Sequence, residues 1–319
     1  MVIRSRLFAP WWRWIALVLC MIAMPASAGA SPVDDDLALE TRIATIGYRL
    51  ARGAQARCAV PEKMSGLILH DIGGYAQSDR AAIAKSLGLG DGFGVRAVVA
   101  NGAAARAGVR AGDEIVAIDG RDLTGFARDA IGAAASFDRT ERMVDYLAGA
   151  LARGPVTIGI RRDGQALSLM LAGDAGCAAR FAVAIEDGVN ARADGRYIAV
   201  TSGLARLASR DDALAFAMAH EMAHILLGHV AARRAARDRV DVRAQELAAD
   251  RLAVAIMVDA GFAPAAAIPL LEAVSRGRID WLDRDHPATA VRIAALRAVL
   301  AGDGSGVQHI GDDETGRRQ

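Results

Sequence analysis

The sequence is poor in aromatic residues. Phenylalanine, tryptophan and tyrosine make up 5% of the 319 residues, and three of the four tryptophans fall in the first fourteen positions. The interior therefore has to be built from aliphatic side chains and alanine, a composition that favours helices. Cysteine is scarce too, with three in all, which excludes a disulfide-dense miniature scaffold. Neither sign of charge dominates, since 38 basic residues stand against 37 acidic ones. No basic patch stands out from the acids around it, which argues against a nucleic-acid-binding surface. Beyond the N-terminus, no apolar run of membrane-spanning length is free of charges. Hydrophobic residues nonetheless reach 53%, too many for a disordered chain. The length exceeds one typical core, so two domains are expected.

Residues 1–28 read as a secretory signal peptide. Arg4, Arg6 and Arg13 form a basic leader, and Ile15 to Met24 is a short apolar stretch. Pro25 ends any helix there, and Ala26-Ser27-Ala28 is an A-x-A cleavage site. The apolar stretch is too short to cross a bilayer comfortably; an uncleaved anchor in the inner membrane is the alternative. Cys20 follows Leu19, which is bulky where a lipid-attachment site needs a small residue. Processing removes three arginines and no acid, taking the formal charge from +1 to −2. The mature chain is expected to be periplasmic or secreted, with no transmembrane segment. It keeps Cys58 and Cys177, an even count in an oxidising compartment, and a disulfide between them is expected. Two buried free thiols are the alternative.

Asp34 to Arg57 reads as a helix, with Leu37, Ile43, Ile46 and Leu50 near helical spacing. Residues 62–90 carry several glycines and no clear period. Phe93 to Ala100 is a valine-rich strand. Asn101 to Gly112 is a turn with one short helical piece, and Glu114 to Ile118 is a second strand closed by the turn pair Asp119-Gly120. Asp138 to Ala152 reads as a helix. Val156 to Ile160 and Ala166 to Leu171 flank Arg162-Asp163-Gly164-Gln165 as a hairpin. Phe181 to Ile185 and Tyr197 to Thr201 are strand-like. Asp211 to about Ala236 reads as one long helix with a capping pattern at Ser209 and Asp212. Asp241 to Ala260 is the next helix, and Pro264 and Pro287 open two more. Residues 303–319, rich in glycine and charge, read as a disordered tail.

The chemistry concentrates in His220-Glu221-Met222-Ala223-His224. Chance would give about 0.003 H-E-x-x-H matches in a chain of this composition. Four residues of helix turn through about 400°, so His220 and His224 lie on one face, a turn apart, where two imidazoles can ligate one tetrahedral zinc. Glu221 lies about 100° round the helix, placed to reach a metal-bound water and act as a general base. His229 comes five residues after His224, whereas the metzincin arrangement needs six with a glycine turn between. It is therefore expected to pack or hydrogen-bond beside the helix rather than ligate. Glu246, in Glu246-Leu247-Ala248-Ala249-Asp250, is the better third ligand. Asp250 lies on the same face and is placed to accept the N–H of a zinc-bound histidine.

Two stretches resemble known families. Leu89-Gly90-Asp91-Gly92-Phe93-Gly94-Val95 and Ala103 to Gly120, with the pattern A-G-[LV]-x-x-G-D-x-[IV]-x-x-[IV]-[DN]-G, resemble a PDZ domain of the type found in exported bacterial proteases. The resemblance implies capture of peptides or C-termini by strand addition, with Gly90, Gly92, Phe93 and Gly94 as candidate peptide-binding residues. A small β-domain acting only as a spacer is the alternative. Val189-Asn190-Ala191, Val200-Thr201-Ser202-Gly203-Leu204, the H-E-x-x-H with Gly228-His229 after it, E-x-x-A-D at 246–250, and His286-Pro287 followed by Arg292 resemble the M48 peptidases, which are gluzincins. That resemblance implies one Zn2+ per chain held by His220, His224 and Glu246, with Glu221 as base. It also implies supporting roles near the oxyanion for Asn190 and His286. Many relatives are membrane-embedded; this chain lacks their spanning helices and resembles the soluble, exported branch.

The expected architecture is α+β, a zincin peptidase with an inserted PDZ-like domain. Residues 34–62 carry the peptidase's N-terminal helix, 66–172 the insert, 174–302 the peptidase core and 303–319 the tail. The expected activity is zinc metalloendopeptidase cleavage of proteins or peptides in the cell envelope, in protein quality control. The PDZ domain would select substrates, and a substrate would lie extended near Tyr197 to Thr201. The alternative is a PDZ-based peptide-binding or chaperone protein with a structural zinc. A structural site is closed by four protein ligands, and three good ligands beside an intact Glu221 stand against it.

Overall fold

A computed structural model describes residues 32–59, 61–235, 241–276 and 289–302. The chain opens with helix α1 (Pro32–Gly53), strands β1 (Pro61–Met64) and β2 (Leu67–His70), helix α2 (Arg80–Leu87), strand β3 (Phe93–Val98) and the short helix α3 (Ala103–Arg106). Strands β4 (Glu114–Ile118) and β5 (Arg121–Asp122), helix α4 (Asp138–Arg153) and strands β6 (Val156–Arg162), β7 (Gln165–Leu171) and β8 (Asp174–Cys177) follow. The rest comprises β9 (Arg180–Ala184), β10 (Ala191–Ala193), β11 (Tyr197–Thr201), α5 (Ser202–Leu207), α6 (Asp211–Leu226), α7 (His229–Ala235), α8 (Val242–Asp259), α9 (Ala267–Arg276) and α10 (Thr289–Ala301).

Hydrophobic burial divides these elements into two bodies, and the fold is α+β. In the first, Ile43, Ile46 and Leu50 of α1 pack with Val200, Phe216, Ile256 and Leu271. In the second, Phe93, Ile115, Ile118, Ile158 and Ile160 of the strands pack against Met143 and Leu147 of α4. The second body has the sheet order β2-β3-β4-β6-β7, with β5 paired to β4. Asp163-Gly164 makes its tight hairpin as the sequence suggests, both residues having positive φ (51° and 79°). The first body carries a three-stranded sheet, β10-β11-β9, in which β11 runs parallel to β9 and antiparallel to β10.

A two-stranded ribbon joins the bodies. β1 pairs antiparallel with β8, Pro61 opposite Cys177, and a disulfide links Cys58 to Cys177 across 119 residues. Tyr48 on α1 reinforces the joint: its hydroxyl donates to Asp174 Oδ2 (2.7 Å) and accepts from the Ala103 N–H (3.1 Å). Asp174 also accepts from Arg106.

Three expectations need correction. The helix expected over Asp211 to Ala236 is two helices: α6 stops at Leu226, and α7 leaves at 55° to it. Gly228, at φ 69°, supplies the left-handed residue that commonly ends a helix. The cap is also different, because Arg210 stands at the N-cap with no side-chain hydrogen bond, and Asp212 instead accepts the Ala263 N–H (2.9 Å). Finally, β11 lies in the middle of its sheet, so an extended substrate has no free edge along Tyr197–Thr201. Residues 1–28, 303–319 and Pro287 lie outside the described residues. Among the described residues no single helix is long and apolar enough to cross a membrane.

The bridge closes a long loop, so replacing Cys58 and Cys177 with serine should lower the unfolding free energy by about 4–5 kcal/mol in the chain-entropy account. A urea titration of the two proteins measures it. An unchanged midpoint would remove the bridge from the stabilising interactions.

Candidate active site

Helix α6 is apolar on every side and buried from Leu214 to His224, as a helix enclosed by its own protein must be. It packs against α8, and the alanines Ala219, Ala223, Ala249 and Ala253 are fully enclosed. Side chains this small let the two helices approach closely. Glu246 and Asp250, one turn apart on α8, thereby reach His220 and His224 on α6.

The contacts are short. His220 Nε2 lies 3.1 Å from Glu246 Oε2 and 3.1 Å from His224 Nε2, and His224 Nε2 lies 3.3 Å from Glu246 Oε1. Two imidazole nitrogens and a carboxylate thus converge in a buried space. Donors bound tetrahedrally at about 2.0–2.1 Å from a zinc ion stand about 3.3 Å apart, so the triangle has the size of such a site. Two imidazole nitrogens and one carboxylate are a donor set suited to a divalent cation of the zinc type.

Behind the triangle, His220 Nδ1 faces Asp250 Oδ1 at 2.9 Å. Asp250 also accepts from Arg292, at 2.6 Å from Nη2 and 2.8 Å from Nε. An ionised carboxylate only accepts, so Nδ1 carries the proton and Nε2 can turn a lone pair into the triangle. His224 Nδ1 meets His229 Nδ1 at 3.0 Å, and Arg233 donates to Glu246 Oε1 at 2.9 Å.

These neighbours set the protonation states. Burial disfavours a charged His220 and Arg292 opposes it as well, but the hydrogen bonds from Asp250 and Glu246 prevail and raise its pKa to about 9. Burial lowers that of His224 to about 4, against the pull of Glu246. Asp250 is raised by burial, yet Arg292 and His220 outweigh this and hold it at about 2.

The structure thus brings together His220, His224, Glu246 and Asp250, with Glu221 buried beside them on α6. His229 stays outside the triangle. Asn190 precedes β10, and its backbone is tied to Thr201 through its N–H (2.9 Å) and carbonyl (3.0 Å). Among the described residues, no hydrogen bond joins its side chain to the triangle. His286 lies outside the described residues.

The peptide-binding role expected for Gly90, Gly92, Phe93 and Gly94 does not fit their surroundings. The Gly92 N–H donates to Glu114 Oε1 (2.7 Å), and the carbonyls of Asp91 and Gly92 accept from Arg139 (2.7 and 3.2 Å). Phe93 is fully buried beneath that guanidinium, and β3 is paired on both sides. The free edge on that side of the sheet belongs to β2. Sequence reasoning gave no role to Arg292 or Arg233. The signal for Arg292 is a lone charge within the apolar run Val291 to Leu296; Arg233, one of two adjacent arginines, carries none.

The model for peptidase family M48 matches residues 170–242, which hold the three-stranded sheet and the H-E-x-x-H helix. The model for peptidase U49 matches residues 210–310, and that for the PDZ domain residues 94–137. Together these matches support an M48 family metallopeptidase with a PDZ domain. Glu246 and Asp250 lie beyond the M48 match but within that of U49. No curated protein matches the chain significantly. Among solved structures, the HtrA-type protease AlgW with decapeptide is 26% identical over 37% of this chain and 30% of its own, with a TM-score of 0.26. A second AlgW structure with decapeptide, of a variant, is 26% identical over 37% and 29%, with a TM-score of 0.24. The chain therefore spans less than a third of the length of these neighbours.

Protonation makes two outcomes measurable. At pH 6 His220 is charged and His224 is not, so zinc binding should release about one proton, seen by calorimetry in buffers of different ionisation enthalpy. Because the folded-state pKa of His220 is raised to about 9, its contribution to the metal-free fold is full below its usual value near 6.5 and is lost as pH rises through 9. Release of no proton would overturn the protonation assigned to His220. Further, Glu246→Ala should weaken zinc binding more than His229→Ala, because it deletes a donor. Loss of an outer partner costs only about 10–100-fold. Metal analysis after dialysis orders the two, and the reverse order would exclude Glu246 as the third ligand.

Proposed function

We propose that the chain is a zinc metalloendopeptidase that cuts proteins or peptides in the cell envelope. The observation that carries this reading is the buried triangle of His220, His224 and Glu246 with Glu221 next to it on the same helix. Three donors leave a fourth position for water or substrate, as in a catalytic site rather than a structural one. His220, His224 and Glu246 would hold the ion, and zinc, when bound, supplies Lewis acidity to the cleaved carbonyl and the attacking water. Glu221 takes the proton of the water and delivers it to the leaving amine. Asp250, itself clamped by Arg292, keeps the proton of His220 on Nδ1 and so keeps Nε2 turned inward. Arg233 occupies one oxygen of Glu246 and limits how that carboxylate can rotate.

Among the described residues, a suitable rail for the substrate backbone lies near the site. β10 is an edge strand that packs against α6, and an extended chain added to it would cross the helix bearing Glu221. An envelope location and a role in protein quality control rest on the signal-peptide reading of residues 1–28 and on the disulfide, which suits an oxidising compartment. The PDZ domain contributes peptide capture.

Glu221→Gln should keep about one zinc per chain and lose at least a hundredfold in cleavage of β-casein, the range expected for a lost general base. Zinc analysis and a fluorescent casein assay on the same preparation read both. A variant that retains zinc and cuts as fast as the parent would remove Glu221 from the mechanism.

A further inference from the structure

A cleft of about 810 Å³ lies between the two bodies, and none of the three metal-site donors lines it. The volume falls within the range of ligand sites, about 300–1,000 Å³. Its walls are unusual. Leu67, Ile68 and Leu69 of β2 line it consecutively, and so do Arg180, Phe181, Ala182 and Val183 of β9. Successive side chains of a strand point to opposite faces, so a consecutive run means that each strand presents its edge. Among the described residues each has one partner strand, β3 for β2 and β11 for β9. The other two walls are helical stripes. Thr140, Val144, Leu147 and Leu151 of α4 recur at spacings of four, three and four, as do Glu40, Ala44, Gly47 and Ala51 of α1.

Two strand edges and two helical stripes lining one cleft match one extended chain. Its backbone can hydrogen-bond at the edges, and its side chains can point to the helices. The lining decides which chain. Phe137 and Ile185, one from each body, line the cleft with 63% and 62% of their surface exposed. The charges around it largely cancel: Glu40 pairs with Arg96 (3.4 Å) and Glu62 with Arg180 (3.0 Å). A strongly charged ligand finds no matching field there, whereas apolar side chains find apolar walls.

We infer that this cleft is an exosite for an extended apolar polypeptide segment, held as a strand between β2 and β9 and touching the PDZ and peptidase bodies at once. The PDZ half rests on the peptide-capture role proposed above; the peptidase wall is a separate claim. A segment held here is anchored away from the metal triangle, so the exosite tethers a substrate rather than presenting the bond that is cut.

The test uses the full mature chain with Glu221→Gln and an array of overlapping β-casein peptides, followed by fluorescence anisotropy with the strongest apolar binder. Three further substitutions are compared, with zinc content and melting temperature as controls for folding. Val144→Glu charges the PDZ wall, Ala182→Arg blocks the peptidase wall, and Ile185→Glu alters an exposed lip that folding does not need. Binding should concentrate in apolar peptides, and each substitution should weaken it about tenfold or more. If Val144→Glu abolishes binding while Ala182→Arg and Ile185→Glu leave it unchanged, the shared exosite is wrong and the PDZ reading stands. If the parent binds no apolar peptide, or no substitution alters binding, both are wrong.

Discussion

The peptidase body depends on a line of charge held out of water. Arg292, Asp250, His220 and Glu246 are all buried, and each contacts the next. Taking such groups from water costs several kcal/mol apiece, and the loss is recovered only while every partner is present. Removing a single member would leave an uncompensated charge in a closed interior. The scarcity of aromatic residues belongs to the same arrangement. Large rings between α6 and α8 would hold the helices apart, whereas Ala219, Ala223, Ala249 and Ala253 let imidazole and carboxylate meet at about 3 Å. An alanine-rich core is thus the packing condition for a polar chain that spans two helices.

The same line of charge explains why one histidine holds a proton and the other does not. His220 is flanked by two carboxylates, His224 by one carboxylate and two other imidazoles. Without an ion, the proton therefore resides on His220, and a divalent cation held by the triangle would have to displace it. Arg292 and Arg233 balance the carboxylates from outside, which keeps the excess negative charge small.

How much of this could be read from sequence alone depended on how local each feature is. His220, Glu221 and His224 belong to one helical turn, and Glu246 and Asp250 to another, so helical geometry suffices for each group. The end of α6 was equally local: Leu226-Leu227-Gly228-His229 carries the glycine that stops a helix, but the apolar spacing on both sides masked it. The Gly90–Gly94 segment reads as an open loop because nothing in it announces Glu114 and Arg139, which come from distant elements and occupy its polar groups. Strand order is similarly tertiary, so Tyr197–Thr201 reads as a strand without revealing that it has neighbours on both sides. Arg292 is invisible as a partner until the fold brings α10 against α8.

The ribbon of β1 and β8 has a consequence for how the chain acquires its shape. Everything between Met64 and Asp174 is a guest whose two ends lie side by side, while the host is written in two separate pieces. α1 comes before the guest, and the sheet and helices it packs against come after. An unfolded guest would hold those pieces apart by a long flexible loop, and closing such a loop carries an entropic penalty that a folded guest removes in advance. The natural order is therefore guest first, host second. During synthesis α1 must wait, with its apolar face uncovered, until the residues that cover it have been made. A substitution that slows the guest's folding would then surface as aggregation of the host, far from the altered residue and without any change in the finished active site.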